Sequence, residues 1–135
     1  MLKLSLAAGM VLLALQTNAV AGSAVVDAFP PVVVRTSPTA GDQGVDPSVR
    51  EIRVTFSKEM MTHEMWSFVY ARPAAFPEVA GQVHYLDDKR TCVLPVSLEP
   101  GQTYGIWINS QEHTSFRDTY QNPAIPYLLT FRTRN

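Results

Sequence analysis

The sequence predicts an all-β fold, an antiparallel sandwich of about seven short strands, and three observations carry that expectation. Apolar residues recur with a period of two, most clearly where Ile52, Val54 and Phe56 alternate with Glu51, Arg53 and Thr55, the pattern of a strand with one wet face. Such segments are short and bounded by turn formers, with no convincing helix among them. Leu98-Glu99-Pro100-Gly101-Gln102-Thr103-Tyr104 then runs a tight turn into the alternating strand Gly105-Ile106-Trp107-Ile108-Asn109. A tyrosine at the start of such a strand, with its hydroxyl reaching back to the preceding turn, is the tyrosine corner of immunoglobulin-like (Ig-like) sandwiches. Tyr104, Leu98, Pro100 and Gly101 are therefore structural residues, and the Tyr104 hydroxyl is expected to bond the backbone near residues 98–100.

Residues 1–21 read as a secretory signal. Lys3 supplies the positive start, residues 4–15 the apolar run, and Ala19-Val20-Ala21 the cleavage pattern before Gly22. The run is shorter than the roughly 20 residues a membrane span needs. The protein is expected to be exported, periplasmic or extracellular, with no transmembrane span in the mature chain. Residues 22–31 form a short, poorly ordered, proline-terminated lead-in, and residues 32–134 the domain.

The β-branched run 32–36 is the first strand. Residues 37–47 are dense in Pro, Gly and Asp and form a loop, with Val45 tucked back under it. After the strand 51–56, Ser57 offers an N-cap for a single helical turn over residues 58–61. Residues 66–70 resume strand composition, and 72–77, with two prolines, connect onward. Residues 79–86 hold another strand, with Gly81 a bulge or bend. Asp87-Asp88-Lys89-Arg90 supplies a hairpin turn. A strand over 91–94 follows, which Pro95 ends or pushes to an edge. Tyr104, Ile106 and Ile108 form a buried row, with Trp107 on the opposite face. Residues 110–126 are a long polar connection interrupted at Phe116, and Tyr127, Leu129 and Phe131 complete the core. Two stacked sheets sealed by Ile52, Val54, Phe56, Ile106, Ile108 and Phe131 make an Ig-like sandwich.

Without Lys3 the chain has ten basic against twelve acidic residues, so no broad basic field favours nucleic acid. Cys92 is the one cysteine, which rules out an internal disulfide framework. It alternates with Leu94 and reads as a small buried apolar side chain.

Three segments resemble the bacterial Ig-like domains of the SbsA type (bacterial Ig-like domain 5). They are Thr36-Ser37-Pro38-Thr39-Ala40-Gly41 with Gly44-Val45 and Ile52-Arg53-Val54-Thr55-Phe56-Ser57-Lys58-Glu59-Met60; then residues 98–104; then Phe116-Arg117-Asp118 with Asn122-Pro123 and Thr130-Phe131-Arg132-Thr133. The resemblance spans nearly the whole mature chain in the expected order. It implies an extracytoplasmic, non-catalytic β-sandwich, usually one bead among several in a larger surface protein.

No constellation for catalysis is complete. His63-Glu64 begins like a zinc-protease helix, but Ser67 stands where the second histidine belongs. Ser110, His113 and Ser115 lie close in sequence without a nucleophile elbow. The expected role is a non-catalytic module, with no cofactor, that binds a protein or cell-envelope polymer. Recognition is assigned to Trp107, Glu112, His113, Phe116 and Tyr120, because loops on a rigid sandwich commonly carry it. The alternative is a periplasmic copper or zinc carrier using His113, Glu112 and Asp118. That alternative draws on a loose similarity to periplasmic copper carriers of the copper-resistance protein C family, although Gly22 stands where those carriers have an N-terminal histidine. Trp66 reads as core.

Overall fold

The computed structural model describes residues 26–135, so the assigned leader, residues 1–21, lies outside the described residues. Eight strands form two antiparallel sheets. The larger holds β1 (Val33–Ser37), β2 (Glu51–Phe56), β4 (Glu78–Val79), β5 (His84–Tyr85) and β6 (Thr91–Ser97). Its order is β1-β2-β6, with both β4 and β5 on the far edge of β6. The smaller sheet has the order β3 (Phe68–Tyr70), β7 (Thr103–Ile108), β8 (Tyr127–Arg132). This is the Ig-like sandwich expected from the period-two patterning, with one strand more.

The extra strand comes from Pro95. Glu78 and Val79 oppose Ser97 and Val96, whereas His84 and Tyr85 oppose Val93 and Cys92, so the edge gains two residues between β4 and β5. Gly81 lies in that gap, where an added Cβ would meet the Pro95 Cβ at 3.2 Å. Pro95 does not end its strand. It opposes Glu51 in β2, its carbonyl accepts from Ala80 N at 2.9 Å, and Val96 N donates to Arg50 O at 2.9 Å. Proline lacks a donor, and here the missing N–H faces the edge that is already interrupted. β6 therefore continues to Ser97 at the cost of splitting its neighbour.

The helical turn expected after Ser57 does not form. The Ser57 hydroxyl accepts from Val32 N at 3.0 Å, and Ser57 N donates to Val32 O at 2.9 Å. The capping group is thus committed to closing the chain's start against β2.

Ile52, Val54, Phe56, Ile106, Ile108 and Phe131 are each no more than 1 % exposed and share one core with Leu94, Val96, Tyr104 and Leu129. Each such side chain contributes about 1.5–3 kcal/mol on burial, which is how the domain holds without a disulfide. Val45 and Cys92 lie in the same cluster. At the tyrosine corner, Glu99 N donates to the Tyr104 hydroxyl at 2.7 Å, and the Tyr104 ring rests on Phe131 with centroids 5.4 Å apart. Gly101 holds φ at +64°, a left-handed conformation that suits a residue without Cβ. No helix of the described residues is long and apolar enough to cross a membrane.

Candidate functional site

An open groove of about 510 Å³ lies between β3 of the smaller sheet and the β4–β5 edge of the larger. Leu94, 1 % exposed, is its most buried lining residue. Trp66, Phe68, Tyr70 and Phe76 line it beside Val79 and Val83, with His113 and Ser115 also in its wall. The ring centroids of Tyr70 and Phe76 lie 4.6 Å apart, with the planes tilted by 40°. Tyr70 is 64 % exposed and Val79 50 %, so apolar surface faces solvent here.

The groove exists because β3 is only three residues long and, among the described residues, has a partner on one side alone. Asn109 N donates to Ser67 O at 3.1 Å, and Val69 opposes Trp107. Alternation along an antiparallel ladder then turns the backbone N–H and C=O groups of Phe68 and Tyr70 away from β7, toward the open edge.

Two polar devices hold the surroundings rigid. Asn109, with no exposed surface and φ at 60°, donates from Nδ2 to Phe116 O and Ala124 O, both at 3.0 Å, and accepts from Phe116 N at 2.9 Å. One amide thus pins the connection 110–126. Asparagine tolerates left-handed backbone because its short polar side chain bonds locally; an Asn closing a strand was the one sequence signal for this role. The second device is Lys58, whose Nζ lies 2.6 Å from Asp118 Oδ2 and 2.9 Å from Phe29 O. Asp118 Oδ1 accepts from Tyr120 N and Asn122 N, each at 2.9 Å, and Asn122 Nδ2 reaches Asp27 O at 2.6 Å. The lead-in, expected to be poorly ordered, is therefore tied down at Asp27 and Phe29.

The five residues assigned to recognition do not form one surface. Phe116 is fully buried, with its ring 5.0 Å from those of Phe56 and Phe68. It plugs the core beneath the groove and is not available to a partner. Trp107 is half-buried on the outer face of the smaller sheet, between Val69 and Leu128, where it shares a separate pocket of about 340 Å³ with Ser110, Gln111 and Pro126. Tyr120 is 59 % exposed beside Lys58, whose Nζ lies 5.6 Å from the ring centroid. Glu112 is exposed, and exposed His113 alone reaches the groove. Trp66, assigned to the core, is half-buried and lines the groove while packing against the core.

The metal set His113, Glu112 and Asp118 is not brought together either. The Asp118 carboxylate is buried and committed to Lys58 and Asn122. Among the described residues no three His, Cys, Asp or Glu side chains come together to hold a metal ion. The displaced titrations have local causes. Burial pushes the Cys92 thiol up to about 12 and also raises the Tyr85 hydroxyl, beside Cys92. Hydrogen bonds from Ser48 hold Asp46 low, and a hydrogen bond from the Thr91 hydroxyl does the same for Asp88.

The family model described as bacterial Ig-like domain matches residues 27–133. No curated protein matches the chain. Among solved structures, two of the S-layer protein SbsC are similar, one of residues 31–844 and one of domains 1–6. Each is 17 % identical with a TM-score of 0.52, and each match covers 86 % of this chain and 15 % of the other. The chain thus spans about a seventh of the length of those S-layer chains, and the likeness is one of fold.

Proposed function

The chain belongs to the family of bacterial Ig-like domains, and from that premise we propose that it is an exported recognition module, without catalysis of its own, that captures a protein partner in the groove beside β3. One observation carries this reading. The apolar groove opens directly onto the strand edge from which the backbone groups of Phe68 and Tyr70 point outward. An extended segment laid along that edge adds a strand by main-chain hydrogen bonding. Its alternate side chains then enter the groove against Trp66, Phe76 and Val79. Large exposed apolar surface on a secreted domain marks an interaction site. A cell-surface setting is supported by the leader pattern of residues 1–21 and by the fold shared with domains of surface-layer proteins.

The test is capture from native envelope extract, with a photoreactive residue at position 70 to fix the contact. The unaltered chain is expected to retain a protein that Tyr70→Asp and Val79→Asp both lose and that Trp107→Ala keeps. Both charge substitutions fall on exposed side chains, so folding should survive, as circular dichroism would show. Capture of a protease-resistant polymer in place of a protein would replace the strand-addition reading. Capture unchanged by both groove variants would overturn the site.

A further inference from the structure

Beyond residues 1–21 the chain has three methionines, and all three fall within six consecutive positions, Met60-Met61-Thr62-His63-Glu64-Met65. One of the three histidines lies among them. Met60 is 2 % exposed and packs in the core. Met61 and Met65 are half-buried and stand outside both the core cluster and the residues packed against it. Methionine typically fills irregular gaps in a core, and these two do not. With His63 they line an open cavity of about 340 Å³, which Glu59, Thr62, Lys89 and Thr119 also border and whose floor Met60 touches. The loop is tied at its base, Met60 N to Lys89 O and Met61 N to Arg117 O, each at 2.9 Å. Glu64, at φ 54°, turns the chain between His63 and Met65.

We infer that Met61, His63 and Met65 form a binding site for a soft monovalent cation, copper(I) or silver(I). Thioethers are neutral, polarizable donors that select copper(I) over harder ions, and imidazole suits copper as well. Zinc draws on thiolate, imidazole and carboxylate, and this cavity offers one imidazole and the single carboxylate of Glu59. The Lys89 ammonium borders the same space. A monovalent ion on three neutral donors presents it with the least positive charge any metal would, and Glu59 offsets part of that. The site is separate from the β3 groove and uses none of its lining residues.

The purified chain is titrated anaerobically with copper(I) held by a coloured competing chelator, and in parallel with silver(I) by calorimetry. One equivalent is expected to leave the chelator, with zinc(II) failing to compete. In methionine-methyl NMR the signals of Met61 and Met65 should shift further than that of Met60, which is buried at the cavity floor. The double variant Met61→Leu, Met65→Leu keeps apolar volume and so keeps the fold, and it should bind at least tenfold more weakly. No transfer of copper(I) from the chelator, or equal transfer to the double variant, overturns the site.

Discussion

Lys58 Nζ lies 2.6 Å from Oδ2 of Asp118, a carboxylate with no exposed surface, sixty residues further along the chain. The pair joins two segments of the family resemblance, the one that contains β2 and the one that begins at Phe116 within the connection 110–126. It also fixes the lead-in through Phe29 O. Breaking a buried pair leaves its partner charge uncompensated, so Lys58→Met is expected to cost about 3 kcal/mol. Urea denaturation measures this, and a loss below the error of the midpoint would show that the amides around Asp118 suffice alone.

The same carboxylate sets an acid limit. Burial raises the pKa of Asp118, but hydrogen bonds from Lys58, Asn122 and Tyr120 N outweigh it and leave the group below its usual 3.8. A depressed folded value means that Asp118 contributes stability above the unfolded pKa and loses it as pH falls through the folded one. Thermal midpoints should therefore drop below about pH 4, and the drop should be shallower in Asp118→Asn. Parallel acid limbs for the two proteins would remove Asp118 from the account.

Asn109 makes three hydrogen bonds from one buried amide. Asn109→Asp keeps the acceptor for Phe116 N but strips both donors and buries a charge. A cost of about 3 kcal/mol or more follows, together with faster amide exchange across residues 110–126. Wild-type exchange in that connection would mean that Phe116 alone anchors it.

What was legible in the sequence is what local information determines. The row Ile52, Val54, Phe56 could be read because strand burial repeats every second residue and needs only local information. Phe116 could not be placed, because one apolar residue in a polar stretch fits an exposed anchor as well as a core plug. Pro95 is ambiguous in sequence for a related reason: whether its missing donor ends a strand depends on which neighbour that side faces. The groove depends on β3 having, among the described residues, a partner on one side only, a property of topology that no window of sequence contains. Ser57 carried a helix-capping signal that a tertiary contact with Val32 overrode.

Cys92 has no exposed surface, and burial holds its thiol near 12 against a usual 9.0. The native chain should therefore resist alkylation at pH 8, where the thiolate is the nucleophile. A raised folded pKa means that the unfolded chain ionises first, so stability falls as pH rises from about 9 toward 12, by up to about 1.4 kcal/mol per unit. Cys92→Ala should soften that alkaline slope. Rapid labelling of the native protein at pH 8 would contradict the buried placement.

Two tyrosines offer a test with opposite signs. Tyr104 accepts a hydrogen bond from Glu99 N at 2.7 Å, so Tyr104→Phe leaves that amide without its partner and is expected to cost about 1 kcal/mol, with partner capture intact. The Tyr85 hydroxyl is buried and has no hydrogen-bond partner among the described residues. Tyr85→Phe removes a desolvated polar group and keeps the ring, and it should raise stability by about 1 kcal/mol. Paired urea melts of the two variants compare the same atomic change in two environments. If both lose stability alike, the Tyr85 hydroxyl has a partner. If Tyr104→Phe is neutral, the corner is held by the ring's packing on Phe131 and not by its hydroxyl.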